Sequence, residues 1–358
     1  MNTQKLFYKD KPLFGLDIGA NSIKVMQLTR EGKRIDVNGY GVIRFEKDAT
    51  ENGVITEYEM LAQAMLELFD KHITGKITTR RVAATIPASG AYSRVMSLPA
   101  SLNSKELAEA VRFEAEQYIP IPVDDLYIDY SIGALRGENR EVLVVAVPKK
   151  IVDSYMRFFE LVGLEVCAIE TTISAASRLI AETSGGVTTP SILIDLGSVS
   201  VDLSIYDKIL VVNGTVPGGG DNFTEQIKNR LGVTDAEANT IKMKYGLGIS
   251  KKQIEIRQAL STQLDELIKE IRRVVRYYEE RTEGKSKIGQ IITMGGGANM
   301  PGLTDYLTDN LRLPTRMSSF WGTFGLHKLQ PPEEVERSIY VSVAGAALID
   351  PKQIWRQS

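Results

Sequence analysis

The apolar positions of this chain follow the same pattern in two places about half a chain apart. In each, an apolar run leads into Asp-x-Gly-x-x-Ser and then into a second apolar run, over residues 13–26 and 191–205. Such runs on both sides of a glycine turn are typical of two strands joined as a hairpin, with the aspartate at its mouth. The repeat predicts that the chain contains an internal duplication.

After each hairpin the pattern continues with further strands and helices. In the first half it predicts a strand at 34–43, an amphipathic helix at 58–71 and a buried strand at 81–87. In the second half it predicts, in chain order, a strand at 209–216, a helix capped by Asn222 or Thr224 and continuing through Leu231, helices at 235–245 and 263–281, a strand from Ile291, a helix through Leu311 and a final helix at 338–349. The apolar stripe of the 263–281 helix is interpreted as a core face rather than a coiled-coil surface.

Between the two halves, the pattern predicts a compact α+β insert that starts near residue 88. It consists of a strand at 92–98, a helix opened by the capping-box pair Asn103 and Glu106, strands at 126–130 and 141–147, and a helix at 151–162 followed by Gly163. A strand at 164–168, a helix at 171–182 and a linker at 185–190 lead into the second half. That helix is rich in small residues, which suits a point where the two halves cross closely.

Composition narrows the functional classes. The length of 358 residues predicts two or three domains, and a net charge of −2 without a dense basic block argues against a nucleic-acid partner. Cys167 is the single cysteine, so no intrachain disulfide can form, and two histidines leave too few ligands for a structural zinc site. The first residues lack a signal-peptide core, and no apolar run of about eighteen residues could span a membrane. We therefore expect a cytosolic protein.

The two hairpin turns and a third, glycine-rich segment have the chemistry of a nucleotide site. The turn N–H groups and the hydroxyls of Ser22 and Ser200 can face an anion, and Asp17 and Asp195 can orient Mg²⁺ through water. The third segment, 291–302, is a buried-type strand running into three glycines, which lets its backbone pass flat against a nucleobase or phosphate. A single Asp-Gly turn is usually only a turn, but the three segments together predict a nucleotide site.

Phosphate hairpin, phosphate hairpin and glycine-rich strand end, in that order, resemble the three nucleotide motifs of the actin-like ATPase superfamily. The resemblance implies a two-lobed α/β fold, the duplicated ribonuclease-H-like architecture. Within the superfamily, the insert helix ending in 116–122, the strand at 126–130, the opening at 14–19 and the segment 163–166 resemble the PilM family of type IV pilus assembly, which is related to FtsA.

The same resemblance implies a division into subdomains. Subdomain 1A comprises 1–87 and 164–189, the inserted FtsA/PilM-type subdomain 1C comprises 88–163, subdomain 2A comprises 190–222 and 288–337, subdomain 2B comprises 223–287, and a C-terminal helix at 338–358 returns to 1A.

The PilM resemblance also implies that ATP and Mg²⁺ bind in the cleft between the lobes. The residues that match the nucleotide motifs are Asp17, Gly19, Asn21, Ser22, Lys24, Asp195, Gly197, Ser198, Ser200, Asp202, Gly218, Gly219, Gly220, Asn239, Lys242, Gly295, Gly296, Gly297 and Met300. Asn239 stands where relatives carry a glutamate, and its amide can still accept from a ribose hydroxyl. Asp17 and Asp195 are the candidates for holding Mg²⁺ through water and for any catalytic role. Slow or negligible ATP turnover and true ATPase activity are equally compatible with these residues.

The partner implied by the resemblance is the N-terminal cytoplasmic tail of the inner-membrane protein PilN, bound in a groove between the first subdomain and the insert. Tyr118, Ile119 and Ile121 mark that region, although simple packing of the insert on its host explains each of them equally well. Pilus motor ATPases and self-association stay open as further contacts. We expect a cytoplasmic protein attached peripherally to the inner membrane through its partner, without inserting into the bilayer itself.

Two alternatives remain within the superfamily. An FtsA-like cell-division scaffold carries an amphipathic membrane helix after a linker, and the tail at 352–358 is too short for such an anchor. A sugar or acetate kinase needs a second substrate pocket with a carboxylate base near the terminal phosphate. The insert occupies the part of the chain in which we would look for those loops, so the kinase is the less favoured of the two.

Overall fold

The computed structural model describes residues 11–45, 49–183 and 189–350. Three expectations fall wholly or mainly outside these ranges: the character of the first residues, most of the linker at 185–190, and the tail at 352–358. Within the described ranges, no helix combines the length and apolar character that crossing a bilayer requires.

The described ranges contain sixteen strands and nine α-helices, numbered in chain order. The strands are β1 Phe14–Ile18, β2 Ser22–Glu31, β3 Arg34–Arg44, β4 Thr50–Glu51, β5 Val54–Ile55, β6 Ile73–Gly75, β7 Arg81–Ile86, β8 Tyr92–Pro99, β9 Leu126–Arg136, β10 Asn139–Pro148, β11 Glu165–Thr171, β12 Ser191–Leu196, β13 Ser200–Asp207, β14 Ile209–Pro217, β15 Gln290–Met294 and β16 Thr315–Met317. The helices are α1 Tyr58–Lys71, α2 Ser104–Tyr118, α3 Lys149–Leu161, α4 Thr172–Thr183, α5 Gly220–Leu231, α6 Asp235–Lys244, α7 Gln253–Arg281, α8 Leu303–Leu311 and α9 Val341–Ala347.

Two sheets with the same topology form the two lobes. The first has the order β11-β7-β1-β2-β3-β6 and the second β14-β13-β12-β15-β16. In each, the hairpin strands pair antiparallel, and the first strand of the hairpin also pairs in parallel with a strand from later in the same half. Five strands of the first sheet thus match the five of the second in order and direction. The predicted duplication and the two-lobed α/β fold are confirmed.

Helices α4 and α9 pack between the two sheets. Together with Met26 and Val37 of the first sheet and Leu193 and Met294 of the second, they form one continuous apolar cluster. The helices cross so closely that a Cβ added at Gly345 would lie 1.8 Å from the carbonyl oxygen of Ala175. The small residues of α4 therefore lie where the halves meet, as the sequence predicts.

The insert contains a three-stranded antiparallel sheet of order β8-β10-β9, covered by α2. The predicted capping box is present, since the Asn103 side chain accepts from the Glu106 N–H while the Glu106 carboxylate accepts from the Asn103 N–H. The last helix of the insert, α3, lies where the sequence predicts it and packs on the first lobe. Its buried Tyr155 and Phe158 pack into the core of the first lobe, so this helix anchors the insert to its host.

The insert also contacts the second lobe. Glu141 of β10 accepts hydrogen bonds from Arg136 at 2.8 Å and from Arg281, at the end of α7, at 3.1 Å. The Asn213 amide of β14 donates to the Ser93 hydroxyl of β8. The insert therefore joins the first lobe through its core, whereas Glu141 and Ser93 bind it to the second lobe through polar contacts.

Three predicted helix boundaries in the second half are wrong. Helix α5 begins at Gly220 with Gly219 as its cap, and neither Asn222 nor Thr224 caps it. Helix α7 begins ten residues earlier than predicted, because Ile256 and Leu260 extend its buried stripe. The final helix covers Val341–Ala347, and the preceding Glu334–Tyr340 is a 3-10 helix.

Candidate functional site

A cavity of about 670 Å³ lies between the two sheets, where both hairpin turns meet the glycine-rich strand end. The predicted nucleotide residues on its wall are Asp17, Gly19, Asn21, Ser22, Lys24, Asp195, Gly197, Ser198, Ser200, Asp202, Gly220, Asn239, Lys242, Gly295, Gly296 and Gly297. Gly218 and Gly219 do not line it, and Met300 is buried in the core of the second lobe. The structure thus brings residues from all three motifs to one place.

In the first hairpin, the aspartate faces a lysine. Asp17 and Lys24 are directly opposite each other across β1 and β2, and the lysine Nζ lies 2.7 Å from the Asp17 Oδ2. The hydroxyls of Thr85 and Ser342 also donate to this carboxylate, at 2.6 and 3.2 Å. Burial by itself would raise the pKa of Asp17, but the Lys24 ammonium and the two hydroxyl donors hold that pKa below its ordinary value. This carboxylate stays ionised and fixed in place.

In the second hairpin, the equivalent aspartate faces another aspartate. Asp195 is opposite Asp202 across β12 and β13, and no described side chain donates a hydrogen bond to Asp195. Burial and the negative charges of Asp202 and Asp17 raise the pKa of Asp195 to about 7. Burial also raises the pKa of Asp202, although the Thr215 hydroxyl donates to it at 2.7 Å.

The second-lobe side of the cavity thus carries two neighbouring acidic groups, whose ionised forms a bound cation would favour. Hard cations such as Mg²⁺ prefer carboxylate and phosphate oxygens and retain several waters. No group of three or more His, Cys, Asp or Glu side chains in the described ranges is arranged to hold a metal ion by itself. The residues present therefore fit a hydrated Mg²⁺ that shares its ligands with a phosphate chain.

Two glycines permit the close contacts that shape the cavity. Gly295 has φ 82°, and a Cβ there would lie 2.4 Å from the Asp195 Oδ1, so only glycine lets the strand end pass over this carboxylate. A Cβ at Gly219 would lie 2.3 Å from the carbonyl oxygen of Gly197. Gly219 therefore serves the approach of α5 to the second turn rather than the wall of the cavity.

The start of α5 is bound to the second hairpin turn. The Gly220 and Asp221 N–H groups donate to the carbonyls of Gly197 and Ser198, both at 2.9 Å. The Lys242 ammonium, from α6, donates to the Gly220 carbonyl and the Thr224 hydroxyl, each at 2.7 Å. These contacts replace the predicted side-chain cap, and they hold Lys242 beside the cavity.

Sequence reasoning missed Arg44 and Ser342, which line this wall, and the buried Thr85, which donates to Asp17. Thr85 has a signal in the sequence, because the duplicated topology places it beside Asp17 in the parallel pair of β1 and β7. Ser342 has none, since it donates to Asp17 from a position 325 residues away.

The three markers of the expected partner groove lie at the end of α2. Ile119 is buried, and it packs with Tyr118 and Ile121 inside the insert. The Arg94 guanidinium lies 5.1 Å from the centre of the Tyr118 ring. A shallow cavity of about 420 Å³ opens beside Ile119 and Ile121. All three side chains therefore pack within the insert.

This chain has relatives among known sequences. The family model of the type IV pilus assembly protein PilM matches residues 15–348 of this chain. The cell division protein FtsA of Bacillus subtilis (strain 168) is 23% identical over an alignment of 366 residues. The alignment covers 89% of this chain and 80% of FtsA. FtsA of Enterococcus faecalis (strain ATCC 700802 / V583) is 24% identical over 331 residues, covering 81% and 74%.

Similar folds occur among solved structures. The PilM-PilN type IV pilus biogenesis complex aligns with a TM-score of 0.81 at 22% identity, covering 94% of this chain and 98% of that one. MreB5 of Spiroplasma citri bound to ADP aligns with a TM-score of 0.54 at 12% identity, covering 97% and 98%. At these identities the alignments establish a shared fold.

Proposed function

This chain belongs to the PilM family of type IV pilus assembly proteins, and from that membership we propose that it is a nucleotide-controlled scaffold. It binds Mg-ATP between its lobes, and it binds the N-terminal cytoplasmic tail of PilN in a groove between the first lobe and the insert. The protein is held at the inner membrane through that tail.

The observation that carries the nucleotide part is the pair of matched hairpin turns facing one cavity. Asn21 and Ser22 from one turn, and Ser198 and Ser200 from the other, present polar groups to the same space. A polyphosphate between them is bound by hydrogen bonds from the turns of both lobes. Asp17 and Asp195 orient the Mg²⁺ through water, while Asn239 and the Gly295–Gly297 strand end lie on the adenosine side.

The two aspartates differ in what they can do for hydrolysis. Three donors already engage the Asp17 carboxylate, whereas Asp195 accepts no hydrogen bond from a described residue. A group that orients an attacking water needs a free acceptor oxygen within reach. Asp195 is therefore the better candidate for that role, and any turnover depends on its ionised form.

Support for the partner comes from the family and from the fold. A solved complex of PilM with PilN has the same fold as this chain. A small domain that presents strand edges and an apolar helix beside a second sheet is also a suitable site for an extended peptide.

Isothermal titration tests both parts. We expect the purified chain to bind Mg-ATP, and the double variant Ser22→Ala/Ser200→Ala to bind it about tenfold or more weakly, since two hydroxyl donors to phosphate are lost. Ser261→Ala removes an exposed hydroxyl on α7, outside the cavity, and serves as the control. Equal binding by the double variant and the control would contradict the proposed phosphate site.

The partner is tested by titrating the PilN tail peptide with and without Mg-ATP. We expect binding in both conditions, with different affinities. We also expect the chain to sediment with vesicles only when they carry a tethered tail. A chain that binds Mg-ATP but no tail would favour an FtsA-like role, consistent with the 23% identity to FtsA.

A further inference from the structure

Arg44 lies beside the first phosphate turn. It is the last residue of β3 and is directly opposite Ser22 in the antiparallel pair of β2 and β3. The N–H of the next residue, Phe45, donates to the carbonyl of Asn21 at 3.1 Å, which fixes the end of β3 against the turn. The Arg44 side chain lines the cavity between the lobes. A guanidinium is thus placed next to the backbone that would cradle phosphate.

The other cations on the cavity wall are already engaged. Lys24 is paired with the buried Asp17, and Lys242 donates to a carbonyl and a hydroxyl of α5. Arg44 differs, because 63% of its side chain is exposed and its ion pair with Glu336 is long, at 3.4 Å. Among the described cations of the wall, Arg44 is therefore the one whose side chain can move without leaving a buried partner unpaired.

Glu336 belongs to the opposite side of the cavity. Its segment, Glu334–Tyr340, is held to the glycine-rich strand end, since Asn299 donates to the Val335 carbonyl at 2.7 Å and Ser338 to the Gly295 carbonyl at 2.8 Å. The Arg44–Glu336 pair therefore connects the first phosphate turn to the expected adenosine side, at the rim of the cavity.

We propose that the Arg44 guanidinium binds and positions the phosphate chain of the nucleotide. Without nucleotide, the guanidinium is instead paired with the Glu336 carboxylate. This inference rests on the proposed nucleotide site and adds a residue and a competitor to it. An exposed ion pair contributes little, whereas an arginine forms strong, two-pronged hydrogen bonds with phosphate oxygens. Exchange of the carboxylate for the phosphate chain is therefore favourable.

The test compares Mg-ATP and adenosine, because only the first carries phosphate. Arg44→Gln should weaken Mg-ATP binding about tenfold and leave adenosine binding within about twofold. Glu336→Gln should tighten Mg-ATP binding about two- to fivefold, because the competing carboxylate is gone. In the double variant the affinity should equal that of Arg44→Gln alone, since Glu336 acts only through Arg44.

Arg30→Gln is the matched control. Arg30 lies on the same sheet as Arg44, and it forms an exposed ion pair with Glu182 of α4, away from the cavity. Thermal unfolding of Arg44→Gln and Arg30→Gln should agree, which shows that the fold is intact. A wild-type chain that binds no nucleotide would overturn the proposed function together with this inference. Mg-ATP binding by the wild type that Arg44→Gln leaves unchanged, or an equal loss of adenosine affinity, would overturn the inference alone.

Discussion

At the scale of single residues, the two hairpins carry opposite charges at one equivalent position. The residue seven places after the hairpin aspartate is Lys24 in the first copy and Asp202 in the second, and both lie directly opposite that aspartate. This difference in charge, together with the Thr85 and Ser342 hydroxyls that donate only to Asp17, leaves Asp17 ionised and fixed, whereas burial and negative neighbours raise the pKa of Asp195 to about 7. The cavity is built from a duplicated frame, but its two sides have different electrostatics.

The raised pKa of Asp195 predicts a pH dependence of stability. The unfolded chain loses this proton near the ordinary pKa of 3.8 and the folded chain near 7, so the wild type loses stability as the pH rises between these values. Asp195→Asn removes that loss. Because one pKa unit corresponds to about 1.4 kcal/mol and cavity water screens part of it, we expect the variant to be about 1–3 kcal/mol more stable at pH 8.

Urea unfolding at several pH values measures this difference. The gain should be complete above pH 7 and shrink steadily as the pH falls toward 4. Asp309→Asn, on the exposed side of α8, controls for the change from carboxylate to amide. A gain of the same size at pH 4 and pH 8 would show that Asp195 is not the group that titrates.

At the scale of elements, apolar periodicity predicts those helix bounds that depend on the local sequence alone. Helix α1 matches its predicted bounds, because its buried stripe ends at Leu68 and strand β6 begins at Ile73. Helix α5 does not, because carbonyls of the second hairpin, distant in sequence, take the place of a capping side chain. The same limit applies to the site: the hairpin motifs can be read locally, whereas Ser342 reaches Asp17 only through the packing of α9 on the first sheet.

The crossing of α4 and α9 gives a prediction for this scale. In an isolated helix, replacing glycine by alanine stabilises by about 1 kcal/mol. At Gly345 the new Cβ would instead lie 1.8 Å from the Ala175 carbonyl oxygen, a backbone atom that cannot rotate away. We expect Gly345→Ala to lower the free energy of unfolding by about 2 kcal/mol or more, because the helices must separate.

Urea unfolding of Gly345→Ala beside Gly322→Ala provides the comparison. A Cβ at Gly322 meets nothing within 4 Å, so this control should stay within about 0.5 kcal/mol of the wild type. If both variants unfolded at the same urea concentration, the two helices would have to be more loosely packed than described.

At the scale of the whole molecule, the insert is attached to both lobes by different kinds of contact. Helix α3 fixes it to the first lobe through buried aromatic residues, and Glu141 ties it to Arg281 of the second lobe. A change in the angle between the lobes strains the polar contact before it disturbs the apolar one. Closure of the lobes around a nucleotide would therefore act on the insert, and on any peptide bound beside it, through Glu141.

This arrangement predicts that Glu141→Gln uncouples the two ligands of the proposed scaffold. Coupled sites commonly change each other's affinity about fivefold or more. Without the Glu141 charge, we expect Mg-ATP to change the affinity for the PilN tail by about twofold or less, while each ligand alone still binds as in the wild type. Isothermal titration of the tail with and without Mg-ATP measures the ratio directly.

The control for Glu141→Gln is Glu283→Gln, which removes the same charge from an exposed ion pair with Lys285 inside the second lobe. It should leave the ratio of tail affinities unchanged, since no contact between the insert and the second lobe is lost. A Glu141→Gln chain that kept the full ratio would show that Glu141 does not carry the coupling. The remaining routes are the contacts of Arg281 with the Val95 carbonyl and of Asn213 with Ser93, and the α4–α9 crossing. If the crossing is the route, Gly345→Ala, which separates those helices, should abolish the effect of Mg-ATP on tail binding.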